Sequence, residues 1–383
     1  MTAAPRQARA PHAVAAGLCL LLSSSLPPGV AKAEEQAPEP DTFFDPSPEL
    51  FLERSYIVWG APPTGPAGKD PALIFEAGVA PHFFIYQGLS KRLASGVSGF
   101  AWALPFTFET TLRMFAVKSS PVRMPSYMPR IRAQLFYVWA PTNSDRERRA
   151  RSKQPLSYQI LGLNAGLNHH SNGQEGCRYQ SVVADQTQCV DAEISPDSSE
   201  LAELLNRRSA DFATTYLSLA VDYQWGKLGP NDYIDHSWEL GVQAEAHPVK
   251  FLVGGMDQQT ADTYGQLRIR LRGEATQSLG RWKLREQLNG TGALGGGSDV
   301  FPLTLIAEGA ATRPDHGGLG AIVRVVYGRD YYNAFFVDEN FQFQIGVTFD
   351  TGSPIHFEPP AASAGNDVPP GGMTPPTDPF VVQ

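Results

Sequence analysis

Leu267, Ile269 and Leu271 alternate with Arg268, Arg270 and Arg272, and Trp238, Leu240, Val242, Ala244 and Ala246 alternate with Glu239, Gly241, Gln243 and Glu245. A period of two marks a strand, whose successive side chains point to opposite faces. Three arginines on one strand and two glutamates on its neighbour cannot make an oily core. The arrangement that satisfies both faces puts paired charges inside a small closed barrel and apolar rows outside, against lipid.

The same alternation recurs along the chain. It predicts strands over Ser55–Trp59, Ala72–Gln87, Ser98–Ala116, Ile131–Trp139, Tyr158–Ser171 and Asp211–Trp225. Further strands follow over Trp238–Ala246, Leu267–Arg272, Trp282–Asn289, Phe301–Ala310, Ala321–Tyr327 and Phe341–Asp350. The expected fold class is all-β, a transmembrane antiparallel β-barrel of about 12 strands over residues 51–350. The competing architecture is a soluble β-sandwich with solvated polar faces. An export signal and an even strand count favour the barrel.

Composition agrees. Charged residues are only 18% of the 383, with 36 Gly and 32 Pro, a mix suited to short strands and turns. The net charge of −8 gives no sign of nucleic-acid binding. Residues 1–33 read as a signal peptide: Arg6 and Arg9, an apolar run from Ala13 to Leu22, and an Ala31-Lys32-Ala33 cleavage site. Leu18 before Cys19 is wrong for a lipoprotein signal, so the mature chain is expected to start at Glu34. Residues 34–50 are acidic and Pro-rich and are expected to be disordered; residues 351–383 are expected to form a Pro/Gly-rich mobile tail. The mature chain keeps Cys177 and Cys189, an even pair whose expected state is one local disulfide, the alternative being two free thiols.

One strand carries chemistry. Its apolar row Leu161, Leu163, Ala165, Leu167 continues into His169 and Ser171, and Asn172-Gly173 then breaks it. A histidine two residues from a serine on one face is the start of an acyl-transfer site, with Ser171 as nucleophile and His169 as base. His170 points to the other face, an interior polar residue. Two residues are candidates to orient His169: Asn206 and Asp211. Asp211 shares parity with Ala213, Thr215, Leu217 and Leu219 and is favoured on that ground. The Gly173 N–H follows the turn, where it could face a developing oxyanion. His-x-Ser on a strand is by itself a weak signal, more often structural. The cost of ionisable groups on a lipid face raises its weight. Strand parity, with both chain ends periplasmic, puts Ser171 and the long 172–210 connection at the outer end. Short joins are expected after Gly273 and Ala311.

These residues carry a resemblance. Gly166-Leu167-Asn168-His169-His170-Ser171-Asn172-Gly173 resembles the G-x-N-H-x-S-N-G signature of the outer-membrane phospholipase A (phospholipase A1) family. Ser119-Ser120-Pro121-Val122-Arg123, continuing to Tyr127 and Pro129, resembles the family's S-S-P-x-R-x-x-x-Y-x-P segment. Arg208-Ser209 before Asp211 is similar to its R-S-W-N, with Asp in place of the orienting Asn. The resemblance implies a 12-stranded barrel that hydrolyses acyl esters of glycerophospholipids, with A1/A2 and lysophospholipase activity, at the outer leaflet of the outer membrane. It implies His169, Ser171 and Gly173 in the roles above. It also implies a calcium-dependent homodimer, with Ser119 as one Ca2+ ligand and the backbone carbonyl of Gln174, which replaces a family Arg, as another. Two other readings stay open: a pore or scaffold barrel with a relic site, and a lipid A deacylase.

Overall fold

The computed structural model describes residues 50–60, 73–116, 122–183, 186–189, 204, 206, 209–252, 256, 258–294, 302–316, 318–330, 339–350 and 357. The signal peptide, most of the acidic segment, Ser119 and all of the C-terminal stretch except Phe357 lie outside them.

Fifteen strands are described. They are β1 (Ser55–Gly60), β2 (Leu73–Val79), β3 (His82–Gln87), β4 (Gly99–Phe115), β5 (Val122–Trp139) and β6 (Leu156–Ser171). A short hairpin follows, β7 (Gln180–Val183) and β8 (Gln186–Cys189). Then come β9 (Ala213–Leu228), β10 (Ile234–Ala246), β11 (Leu267–Leu279), β12 (Trp282–Leu294), β13 (Leu303–Arg313), β14 (Leu319–Arg329) and β15 (Glu339–Phe349). Neighbours pair antiparallel in chain order, β6 passing directly to β9. β1 pairs with β15 (Ser55 opposite Phe349) and with β2, which in turn pairs with β4, so the sheet closes on itself. β2 and β3 both lie on β4 and are one strand interrupted at Ala80-Pro81. Proline has no N–H to give the ladder, and Ala80 N–H turns instead to Ser55 Oγ at 3.0 Å. Counted so, the molecule is a closed antiparallel barrel of 12 strands.

The faces are distributed as the alternation requires. Outside stand Leu163, Leu167, Leu219, Leu240, Val242, Leu271, Leu288 and Ile345, all exposed. Inside, Arg113 Nε meets Glu76 at 2.7 Å and Arg113 Nη1 meets Asp330 at 2.6 Å, both partners buried. Arg324 reaches Glu76 at 3.1 Å and Glu308 at 2.6 Å, and Arg272 reaches Glu239 at 2.6 Å. An exposed apolar belt around a core of ion pairs is the reverse of a soluble protein, and it is the form of a transmembrane barrel. The soluble sandwich is excluded by that inversion and by closure.

One end of the barrel is filled by Leu50, Phe51, Phe136, Val138, Leu156, Tyr158, Ile160, Leu228 and Phe357. Gly162 makes room there: a Cβ on it would stand 2.6 Å from the Phe51 ring. Phe357, in the stretch expected to be a mobile tail, is fully buried and packs on Tyr158 at 5.1 Å between ring centroids. Above this plug a cavity of about 280 Å³ is lined by charged side chains including Arg130, Arg270 and Glu245.

Strands run further than the alternation alone indicates. Gly273 and Ala311 are inside β11 and β13, and the turns fall at Gly280 (φ +60°) and around Pro314–His316. β5 begins at Val122 rather than Ile131; Pro125 and Pro129 mask its period, and Pro129 still pairs opposite Phe108. The Pro141–Gln154 connection holds helix α2 (Asn143–Ser152), started by a Thr142/Asp145 capping box. Two other short helices, α1 (Leu89–Ala94) and α3 (Gln258–Tyr264), complete the described elements. No described helix is long and apolar enough to cross a membrane, which leaves spanning to the strands.

Candidate active site

β6 presents Leu163, Leu167, His169 and Ser171 on its outer face and Asn164, Asn168 and His170 inside. The pair therefore stands outward at the end of an apolar row, as the alternation predicts. His170 is buried, 3.1 Å from Ser126 Oγ and edge-on to Phe212, in the interior role expected of it.

Register brings the two motif segments together. Tyr127 of β5 lies opposite Ser171 on one side, and Ala213 of β9 lies opposite it on the other. The Tyr127 ring also flanks the turn, 3.5 Å from where a Gly173 Cβ would be. Gly173 has φ +63°, a left-handed backbone that side chains resist.

His169 is opposite Thr215, and its Nδ1 is 2.9 Å from Thr215 Oγ1. With Nδ1–H donating to that hydroxyl, Nε2 keeps its lone pair, the tautomer a general base needs. Among the described residues no hydrogen bond joins Ser171 Oγ to His169, a contact that in unliganded enzymes often tightens only with substrate.

Neither sequence candidate for the orienting role reaches His169. Asp211 faces Arg178: the guanidinium Nη2 lies 3.3 Å from its Oδ2, and Arg178 Nε donates to its carbonyl at 3.1 Å. Asn206 is buried; its side-chain N–H donates to Cys177 O at 2.9 Å and Ser209 Oγ at 3.0 Å. Thr215, which strand parity alone did not single out from Ala213 or Leu217, occupies the position. Its only signal was the shared parity; finding it required the β6–β9 register.

The connection after Ser171 is knitted to the start of β9. Asn172 N–H donates to Phe212 O at 3.0 Å, and Asp211 N–H to Gly176 O at 2.8 Å. Asn206 N–H donates to Arg178 O at 2.8 Å. Cys177 and Cys189 form the expected disulfide, with Cα atoms 5.5 Å apart, which ties the β7–β8 hairpin to this base.

Of the two expected calcium ligands, one is among the described residues. Ser119 lies outside the described residues. Gln174 is half-buried, and its N–H is used within the turn. Calcium takes six to eight oxygens, and no cluster of three or more His, Cys, Asp or Glu able to hold a metal occurs among the described residues.

No family model matches the chain, and no curated protein matches it. Among solved structures, the chain is similar in fold to an active-site mutant of outer membrane phospholipase A from Escherichia coli, at 12% identity and TM-score 0.44, covering 82% of this chain and 95% of that one. It is also similar to a calcium-bound dimer of the Salmonella typhi outer membrane phospholipase, at 11% identity and TM-score 0.41, covering 79% and 94%. The translocator domain of the autotransporter NalP from Neisseria meningitidis matches at 11% identity and TM-score 0.27, covering 77% and 85%.

Proposed function

We propose that this chain is an outer-membrane serine acyl hydrolase acting on the acyl esters of glycerophospholipids, its site turned toward the outer leaflet. The observation that carries the reading is the position of His169 and Ser171. They project outward from the end of a lipid-facing row, with His169 Nδ1 2.9 Å from Thr215 Oγ1 and the Gly173 turn beside them. Polar groups on that face meet ester carbonyls at the membrane boundary, which accounts for residues otherwise unfavourable there.

In the proposed reaction Ser171 Oγ attacks the ester carbonyl carbon while His169 Nε2 takes the hydroxyl proton. The oxyanion of the tetrahedral intermediate receives the Gly173 N–H. Collapse breaks the carbon–oxygen bond to glycerol, and His169 returns the proton to the departing alcohol. Water, deprotonated by His169, then attacks the acyl-serine and releases the fatty acid. Thr215 keeps the ring in register through both halves.

The plug of Phe51, Phe136 and Phe357 speaks against an open pore. Calcium dependence and dimerisation rest on the sequence resemblance and are arms of the test. Purified protein in detergent is given a defined phospholipid, with and without calcium, beside Ser171→Ala, with cross-linking to read the dimer. Ester hydrolysis lost in Ser171→Ala supports the reading; release equal in both proteins refutes it.

A further inference from the structure

Three consecutive backbone amides follow the Ser171 side chain, and two of them are engaged. Asn172 N–H donates to Phe212 O at 3.0 Å, and Gln174 N–H donates to Asn172 Oδ1 at 3.2 Å. Among the described residues the N–H between them, that of Gly173, donates to nothing. It is also the exposed residue of the three.

The side chain responsible is Asn172, almost wholly buried at 1% exposure. Its Oδ1 accepts from Gln174 N–H and from Phe212 N–H at 3.1 Å, and its Nδ2–H donates to Ala210 O at 2.6 Å. One amide group thus closes a turn on its own chain and clamps it to the chain entering β9. The turn to Gln174 fixes the peptide planes on both sides of Gly173, while the bonds to Phe212 and Ala210 fix the turn to the barrel. A donor for a developing oxyanion has to be held before the charge appears. The unengaged amide here is bracketed by two that the same residue holds in place.

We infer that Asn172 is a positioning residue for acyl transfer. It sets the direction of the Gly173 N–H without touching substrate, and the site takes an ester carbonyl whose oxygen points to that turn. This rests on the proposed hydrolase function. The tests are Asn172→Ala, which loses every side-chain bond, and Asn172→Asp, which keeps an acceptor for Gln174 and Phe212 but loses the donor to Ala210.

Two measurements are read. Amide hydrogen exchange reads the clamp whether or not the protein is an esterase: Gln174 and Phe212 N–H should be protected in the native protein and in Asn172→Asp, and fast in Asn172→Ala. Steady-state hydrolysis of the same phospholipid by folded barrel reads its use. kcat should fall roughly a hundredfold or more in Asn172→Ala, the scale of a lost oxyanion donor, with KM held within about twofold, and Asn172→Asp should recover most of it. Unchanged exchange in Asn172→Ala overturns the clamp. Faster exchange with unchanged kcat, or a loss carried by KM, overturns the positioning role. If native protein and Ser171→Ala hydrolyse alike, it is the hydrolase reading that fails, and the positioning role falls with it while the exchange result still stands.

Discussion

His169 Nδ1 and Thr215 Oγ1 are 2.9 Å apart across the β6–β9 ladder, directly opposite each other on the outer face of the barrel. A hydroxyl can hold an imidazole in one tautomer, but it offers less to an imidazolium than a carboxylate does. The carboxylate that the sequence brings forward, Asp211, is instead engaged with Arg178.

That relationship gives the first prediction. Thr215→Val should lower hydrolysis by roughly tenfold to a hundredfold, a part of the ~10²–10⁴ that a positioned base contributes. Asp211→Ala should leave it within a few-fold. Initial rates on a defined phospholipid decide: a large loss confined to Asp211→Ala would return the orienting role to the carboxylate.

The lipid face is tested at Leu219, mid-strand in β9 and 62% exposed. Leu219→Arg should destabilise the barrel by about 2–4 kcal/mol in bilayers, the cost of arginine near the midplane. Leu219→Met should cost less than about 1.5 kcal/mol. Denaturant unfolding in lipid vesicles measures both, and a neutral arginine there would contradict the membrane placement.

The interior depends on its ion pairs. Glu76 is fully buried, 2.7 Å from Arg113 and 3.1 Å from Arg324, and it accepts from Tyr56 Oη at 2.7 Å. Glu76→Gln removes the charge but not the volume. It should cost about 1.5–3 kcal/mol, the scale of a lost charge-assisted hydrogen bond, because Asp330 and Glu308 still pair with Arg113 and Arg324. An unfolding midpoint equal to the native one would show that Asp330 and Glu308 alone hold Arg113 and Arg324.

Phe357 anchors the chain beyond the last strand. Its N–H donates to Asp232 O at 3.2 Å, and Asp232 also receives Arg146 and Arg149 of α2. Phe357→Ala should cost about 3–5 kcal/mol, the usual cost of truncating a buried phenylalanine. Removing only residues beyond it should leave stability unchanged. Equal stability of Phe357→Ala and the native chain would return the whole segment to the status of a loose tail.

Much of this was legible beforehand, and the reason is the period of two. Arg268, Arg270 and Arg272 against Leu267, Ile269 and Leu271 state which side of β11 faces the lumen. The row Leu161 to Leu167 states which side His169 shares. Strand ends were less legible, because inward and outward preferences fade where side chains leave the hydrocarbon, so Gly273 and Ala311 read as turns although both lie inside strands.

The sequence by itself determined the alternation, hence a closed barrel with charges inside, and the face on which Ser171 stands. Only the tertiary structure decided what His169 touches. Alternation specifies up or down for each side chain but says nothing about how far one strand slides along the next, since any shift by two residues preserves both faces. Between β6 and β9 the slide is set by a long, disulfide-tied connection whose Asn172, Asn206 and Arg178 contacts are non-local. That register places Thr215 beside the histidine and turns Asp211 away.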